Sequence, residues 1–227
     1  MAPTIFSRKL LLPRLSVVCL AAALSLSGLF VALSDDRTGE EHSDIIHTDC
    51  SEGSLDFSAG PENARTGAPG ELTCNAALCH NSFLINSGDG AFSLTVPVNF
   101  FPSDTIDILV NLSDPGQQRW GFELTALDSA DNPLGDLIVA EPTRTQKSTD
   151  LLSLRQYLKH TSLGTNLGAQ NVAPGWTVRW VSPFGDVGPV TFYAAGNAAN
   201  GNLLNSGDFI YTTSAIVPIV SEGVRIG

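Results

Sequence analysis

The chain has 227 residues, 43% of them hydrophobic and 15% charged, with 12 basic against 23 acidic side chains and a formal net charge of −11. This is the composition of a globular domain and not of a disordered chain. The acidic excess argues against nucleic acid as a partner and against adhesion to anionic lipid, both of which need a basic face.

Met1 to Arg14 carries Arg8, Lys9 and Arg14 and no acid, and Leu15 to Ser34 follows without any charge. That is the layout of an export signal, and Ala32-Leu33-Ser34 supplies small residues at the positions a signal peptidase reads, which predicts cleavage after Ser34. The alternative is an uncleaved anchor, since about 20 uncharged residues are just enough for a helix to cross a bilayer. Membrane attachment is expected only through this segment, and the location is exported: periplasmic, cell-surface or extracellular. Cys19 lies inside the apolar run after Val17 and Val18, not at its end among small residues, so it does not read as a lipid-attachment cysteine. Removing residues 1–34 leaves 9 basic and 23 acidic side chains, a net charge of −14. Three cysteines remain, Cys50, Cys74 and Cys79, in a compartment where disulfides persist, and the odd count leaves at least one without an intramolecular disulfide partner.

Residues 35–65 are acidic, rich in Gly, Ser and Pro, and lack apolar periodicity, which predicts a flexible linker. Residues 66–214 are expected to form one domain, followed by a tail at 215–227. Within it Ile106, Ile108, Val110 and Leu112 alternate with mostly polar neighbours, as do Phe122, Leu124 and Ala126; Trp176, Val178 and Trp180; Val190, Phe192 and Ala194; and Phe209, Tyr211 and Thr213. Period two means strands with one buried face. Asp114-Pro115-Gly116, Asn132-Pro133, Pro183-Phe184-Gly185 and Asn205-Ser206-Gly207-Asp208 supply the turns between them. Many short strands with such turns predict an all-β sandwich or barrel. The stretch from Asp150 to Lys159 fits a helical face through Leu151, Leu154 and Leu158 as well as it fits a strand. Trp120, Trp176 and Trp180 are expected in the core; the other reading of them is a carbohydrate- or matrix-binding platform.

The chemistry concentrates where Cys74 and Cys79 are followed directly by His80. In a c-type cytochrome two thiols add across the haem vinyl groups and the next histidine binds the iron. Here four residues separate the cysteines instead of two. On that reading Cys74 and Cys79 are the thioether candidates, His80 the proximal iron ligand and His160 the distal one, giving an electron carrier with a redox partner. The other reading of the same residues is a Cys74–Cys79 disulfide closing a small loop, in a structural, adhesive or ligand-binding surface module. A zinc site from His42, His47 and Cys50 with Cys79 or His80 is the weakest arrangement, because its first three members sit in the linker. Asp89, Asp128, Asp131 and Asp208 stand beside turn residues, where an aspartate ordinarily bonds its own backbone and does not collect calcium. There is no Gly-x-Ser-x-Gly, no His-Glu-x-x-His and no phosphate-cradling glycine loop, so no catalysis is predicted.

Several phrases taken together resemble one family, the bacterial reelin-like module called the choice-of-anchor V domain. They are TGAPGE at Thr66 to Glu71, the cysteine pair with His80, GFELTALD at Gly121 to Asp128, KHT at Lys159 to Thr161, GWTVRW at Gly175 to Trp180, GPVTFYAAGNAANG at Gly188 to Gly201 and SGDFIYTT at Ser206 to Thr213. The resemblance implies a secreted or surface-displayed protein with the immunoglobulin-like sandwich of the reelin and spondin N-terminal domain. It also implies that His80 and His160 belong to the module's shared pattern. The family's commoner motif is Cys-x-x-Cys-His, from which the longer spacer here departs.

Overall fold

Alternating apolar residues become strands here because two sheets face one another and each buries one side. The architecture is that of a computed structural model, which describes residues 57–77 and 79–220. The chain divides into two compact units, Met1–Ile45 and Ile46–Gly227, and every described residue belongs to the second. The leader, Cys19, His42, His47 and Cys50 lie outside the described residues, and with them the cleavage, anchor and zinc readings.

Nine strands follow in order: β1 (Ala91–Thr95), β2 (Thr105–Ser113), β3 (Arg119–Leu127), β4 (Asp136–Val139), β5 (Thr145–Thr149), β6 (Gln156–His160), β7 (Trp176–Val181), β8 (Val190–Ala199) and β9 (Phe209–Val217), with a 3-10 turn at Ser162–Thr165 between β6 and β7. They form a four-stranded sheet, β1-β2-β7-β4, and a five-stranded sheet, β5-β6-β3-β8-β9. Every neighbouring pair is antiparallel. The fold is therefore the expected all-β sandwich of two antiparallel sheets. Among the described residues no helix is long and apolar enough to cross a membrane.

The core is the set of alternating residues. Ile108, Val110, Trp176, Val178 and Trp180 from the first sheet meet Trp120, Phe122, Leu124, Phe192 and Ala194 from the second, all at 0–1% exposure. The three tryptophans are core residues and not an exposed surface platform. Each indole N–H donates to a carbonyl, Trp120 to Ala169 at 2.7 Å, Trp176 to Gly164 at 2.9 Å and Trp180 to Leu134 at 2.8 Å, so burial leaves no donor unpaired. Gly135, next to Leu134, has φ +72, and a Cβ there would stand 2.3 Å from the Trp180 Nε1. The turn needs glycine for both reasons.

Three expectations change. The stretch from Asp150 is neither a helix nor wholly a strand: Asp150 Oδ1 accepts from the Leu152 and Ser153 N–H groups, closing a turn that leaves Leu151 and Leu152 exposed, and β6 starts only at Gln156. The last strand runs to Val217, and Phe100 then exchanges backbone hydrogen bonds with Pro218 and Val220, so the packed chain reaches past 214 into the expected tail. The entry side moves as well. β3 is buried on both faces, with Glu123, Thr125 and Leu127 at 0% exposure, because residues from Phe57 onward, expected to be linker, lie against its outer side.

Trp180 is held edge-on between Phe100, at 5.0 Å between ring centroids, and Phe192, at 5.6 Å. Trp180→Ala should cost about 3–5 kcal/mol in a urea titration of the purified domain. A change near zero would remove the indole from the core.

Candidate functional site

The outer face of the five-stranded sheet carries polar residues that alternation assigns to solvent, yet they are covered. Lys159 reaches the entry segment through Nζ, donating to the Pro61 carbonyl at 2.5 Å and to Asn63 Oδ1 at 3.1 Å. Beside it the Arg65 N–H donates to Glu123 Oε2 at 2.7 Å. The TGAPGE phrase is explained by its last residue: Glu71 accepts from Thr66 Oγ1 at 2.5 Å, from Arg155 at 2.7 Å and from the Tyr157 hydroxyl at 2.8 Å. These bonds pin residues 57–75 across β3 and β6.

The imidazole of His160 completes this clamp. The β3–β6 ladder pairs Glu123 with Lys159 and then stops. At the next position the Phe122 N–H donates to His160 Nδ1 at 3.0 Å, so the ring stands in for a strand backbone. It also hydrogen-bonds the Phe57 backbone, and burial pushes its pKa down from 6.5 to about 4. The ring lies over Gly121, where a Cβ would come within 2.7 Å of Cε1. His160 is thus a neutral structural residue tying the entry segment to β3.

Between the entry segment, the ends of β3 and β8 and the loop 201–208 is a cavity of about 90 Å3. Cys74, Cys79, His80 and His160 all line it, so the structure brings every candidate site residue to one place. Phe57, Trp120, Phe122, Leu203 and Leu204 supply apolar walls. His80 Nδ1 is 2.6 Å from Asp208 Oδ2, and Asp208 is only 1% exposed. Its other oxygen accepts from the Asn200 N–H at 3.1 Å. Asp208 therefore does more than serve its own turn, as expected of it: it fixes the His80 ring and closes the loop that precedes it. Asp128 does serve its own turn, accepting from Ala130 and Asn132. His80 Nε2 lies 3.2 Å from Asn197 Nδ2, while the buried Asn197 Oδ1 has no partner. An acceptor left so in a cavity wall is a place for a ligand's donor.

The cysteines are not paired with each other. Cys74 is a free, buried thiol whose pKa burial raises to about 12, and Cys79 is disulfide-bonded. The expected Cys74–Cys79 disulfide is thus not formed. Cys74 and Cys79 remain in register through the turn between them, where the His80 N–H donates to the Cys74 carbonyl at 3.0 Å. Sequence reasoning gave Asp208 only a turn role and did not single out Asn197 and Asn200. Their signal was the clustering of Asn and Asp in GNAANG and SGD.

The buried ionisable groups set a pH profile. His160, with its folded pKa below its unfolded one, contributes stability that is present above pH 6.5 and lost as the pH falls through about 4, roughly 3 kcal/mol in all. Glu123 has the opposite sense: burial raises its pKa from 4.5 to about 8, so its contribution is full below 4.5 and is lost as the pH rises through 8. Between about pH 4.5 and 6.5 the two slopes oppose each other, so urea titrations across pH 4 to 8 should give a broad optimum there, with stability falling from 6.5 toward 8 and again below 4.5. In Glu123→Gln, which keeps an acceptor for the Arg65 N–H, the decline from 6.5 to 8 should flatten. An unchanged slope there would show that Glu123 ionises normally.

No family model and no curated protein matches the chain. Among solved structures, a cohesin module of a family 33 glycoside hydrolase from Clostridium perfringens ATCC13124 is similar at 13% identity, over 57% of this chain and 96% of that one, with a TM-score of 0.38. The likeness is too distant to carry any residue or activity across.

Proposed function

We propose that the mature protein is an exported, non-catalytic β-sandwich module of the cell envelope or surface that binds a small ligand in the cavity over its five-stranded sheet. The observation that carries this reading is the meeting of Cys74, Cys79, His80, His160, Asn197 and Asp208 around one cavity with apolar walls and an unpaired acceptor. A single water needs roughly 10–15 Å3, so the cavity takes a ring-sized group with one hydrogen-bond donor directed at Asn197 Oδ1.

The residues present do not fit a bis-histidine c-type haem. Cys79 has no thiol to add to a vinyl group, and the His160 ring is held by the backbone of Phe57 and Phe122. Only His80 keeps the arrangement of an axial ligand, with its second ring nitrogen on a carboxylate.

Two measurements test the reading. Protein purified from a host that exports it and attaches haem should show no Soret band after denaturation and acid-acetone extraction; a surviving band would make electron transfer the function. Titration with phenol, an apolar ring carrying one donor, should shift the Gly121, Asn197 and Gly201 amide resonances saturably, and Asn197→Leu should abolish the effect. No saturable shift in the wild type would overturn ligand binding at this cavity.

A further inference from the structure

We propose that Lys159 and Asn63 join in an intramolecular isopeptide bond, with the buried carboxyl of Glu123 moving the protons, so that the entry segment is stapled covalently to β6. The three side chains already meet in the clamp. Lys159 Nζ lies 3.1 Å from Asn63 Oδ1 and 3.9 Å from Glu123 Oε1. The Pro61 carbonyl, at 2.5 Å from the same nitrogen, holds it against the amide. The Ser148 hydroxyl donates to Asn63 Oδ1 at 2.5 Å, so the carbonyl oxygen has two donors on it. Two donors draw electron density off the carbonyl carbon and stabilise the charge that attack would put on the oxygen. Glu123 Oε2 is engaged by the Arg65 N–H, but Oε1 is buried with no hydrogen-bond partner. A buried oxygen left so beside an amine and an amide is placed to take and give a proton.

Burial acts on both groups in the direction the chemistry needs. Glu123 is at 0% and Lys159 at 9% exposure. Burial raises the pKa of the acid to about 8 and lowers that of the amine, which favours a neutral carboxyl and a neutral amine over an ion pair. The neutral amine is the nucleophile. It adds to Asn63 Cγ and forms the new C–N bond, while Glu123 gives its proton to Oδ1 and takes one from Nζ. Glu123 then protonates Nδ2, the C–Nδ2 bond breaks, ammonia leaves, and the proton on Oδ1 returns to the carboxyl. One amide replaces another, nothing is oxidised or reduced, and Glu123 ends as it began. Holding the groups in contact supplies the effective concentration that a free lysine and asparagine lack.

The test is a peptide map of the full chain, exported, reduced, alkylated and digested with trypsin. Trypsin does not cut after an acylated lysine, so the expected product is residues 38–65 joined to residues 156–179. It should be lighter by one ammonia than the two peptides together, with fragmentation placing the bond between Asn63 and Lys159. Recovery of free 156–159, and of 38–65 with Asn63 intact, refutes the proposal, and so does a link from Lys159 to any other residue. Glu123→Gln keeps an acceptor for the Arg65 N–H but has no proton to pass, and should yield the two peptides unlinked from protein that still unfolds cooperatively in urea. Ser148→Ala, which removes one donor from Asn63 Oδ1, should lower the linked fraction at a fixed time after refolding. Linking at the wild-type yield in Glu123→Gln would take Glu123 out of the reaction and overturn the mechanism.

Discussion

Everything distinctive about this sandwich depends on the covering of the outer face of its five-stranded sheet. An ordinary antiparallel sheet leaves that face to water, and its outward residues are polar for that reason. Here the residues are polar and the water is gone. Glu123 and Lys159 are nearly inaccessible, their charged ends 3.9 Å apart. Burial raises the pKa of the acid and lowers that of the base. Such groups are tolerated only because the entry segment meets them with backbone N–H and C=O groups, at Arg65 and Pro61. The interaction is mutual. An irregular segment without a periodic apolar face would not stay on the sheet without these anchors.

The site follows from that covering. His160 and His80 lie far apart in sequence, and the imidazoles do different work. One completes a broken strand ladder and is kept neutral by burial. The other is aimed by a buried aspartate, one ring nitrogen against the carboxylate and the other toward Asn197. A cavity forms where the clamp ends and the loop after β8 begins. Its walls are apolar because Trp120 and Phe122 at the start of β3 and the leucines of the loop lie there, and its polar points come from the Asn- and Asp-rich phrases at the end of β8 and the start of β9.

The fold was legible because its signal is local. Trp176 to Trp180 alternate without interruption and Ile106 to Leu112 with one exposed exception, Leu109, and the turns between strands carry Gly, Pro, Asn and Asp where the backbone has to reverse. Two kinds of information were not local. Thr145–Thr149 carries no alternating apolar signal because an edge strand needs little apolar content, and its pairing with β6 is a property of its neighbour. Residues 57–65 read as linker because their contribution is backbone carbonyls and amides, which look the same in any sequence. The candidate site was legible as residue types: the pair of cysteines and the two histidines do meet. Their roles were not, since the bonding state of Cys79 and the engagement of the His160 ring depend on chain segments distant in sequence.

The unpaired Cys74 has a consequence for the order of folding. In an unfolded chain the cysteines closest in sequence find each other first, and Cys74 and Cys79 would close a small loop at little entropic cost. The native chain avoids that pairing. The entry segment must therefore settle on the sheet, and bury Cys74, before oxidation at Cys79 is complete, or an incorrect small loop must later be reopened by exchange through a thiolate. Oxidative folding of this protein thus sets docking of a polar segment, held by the clamp on β3 and β6, against closure of a short ring.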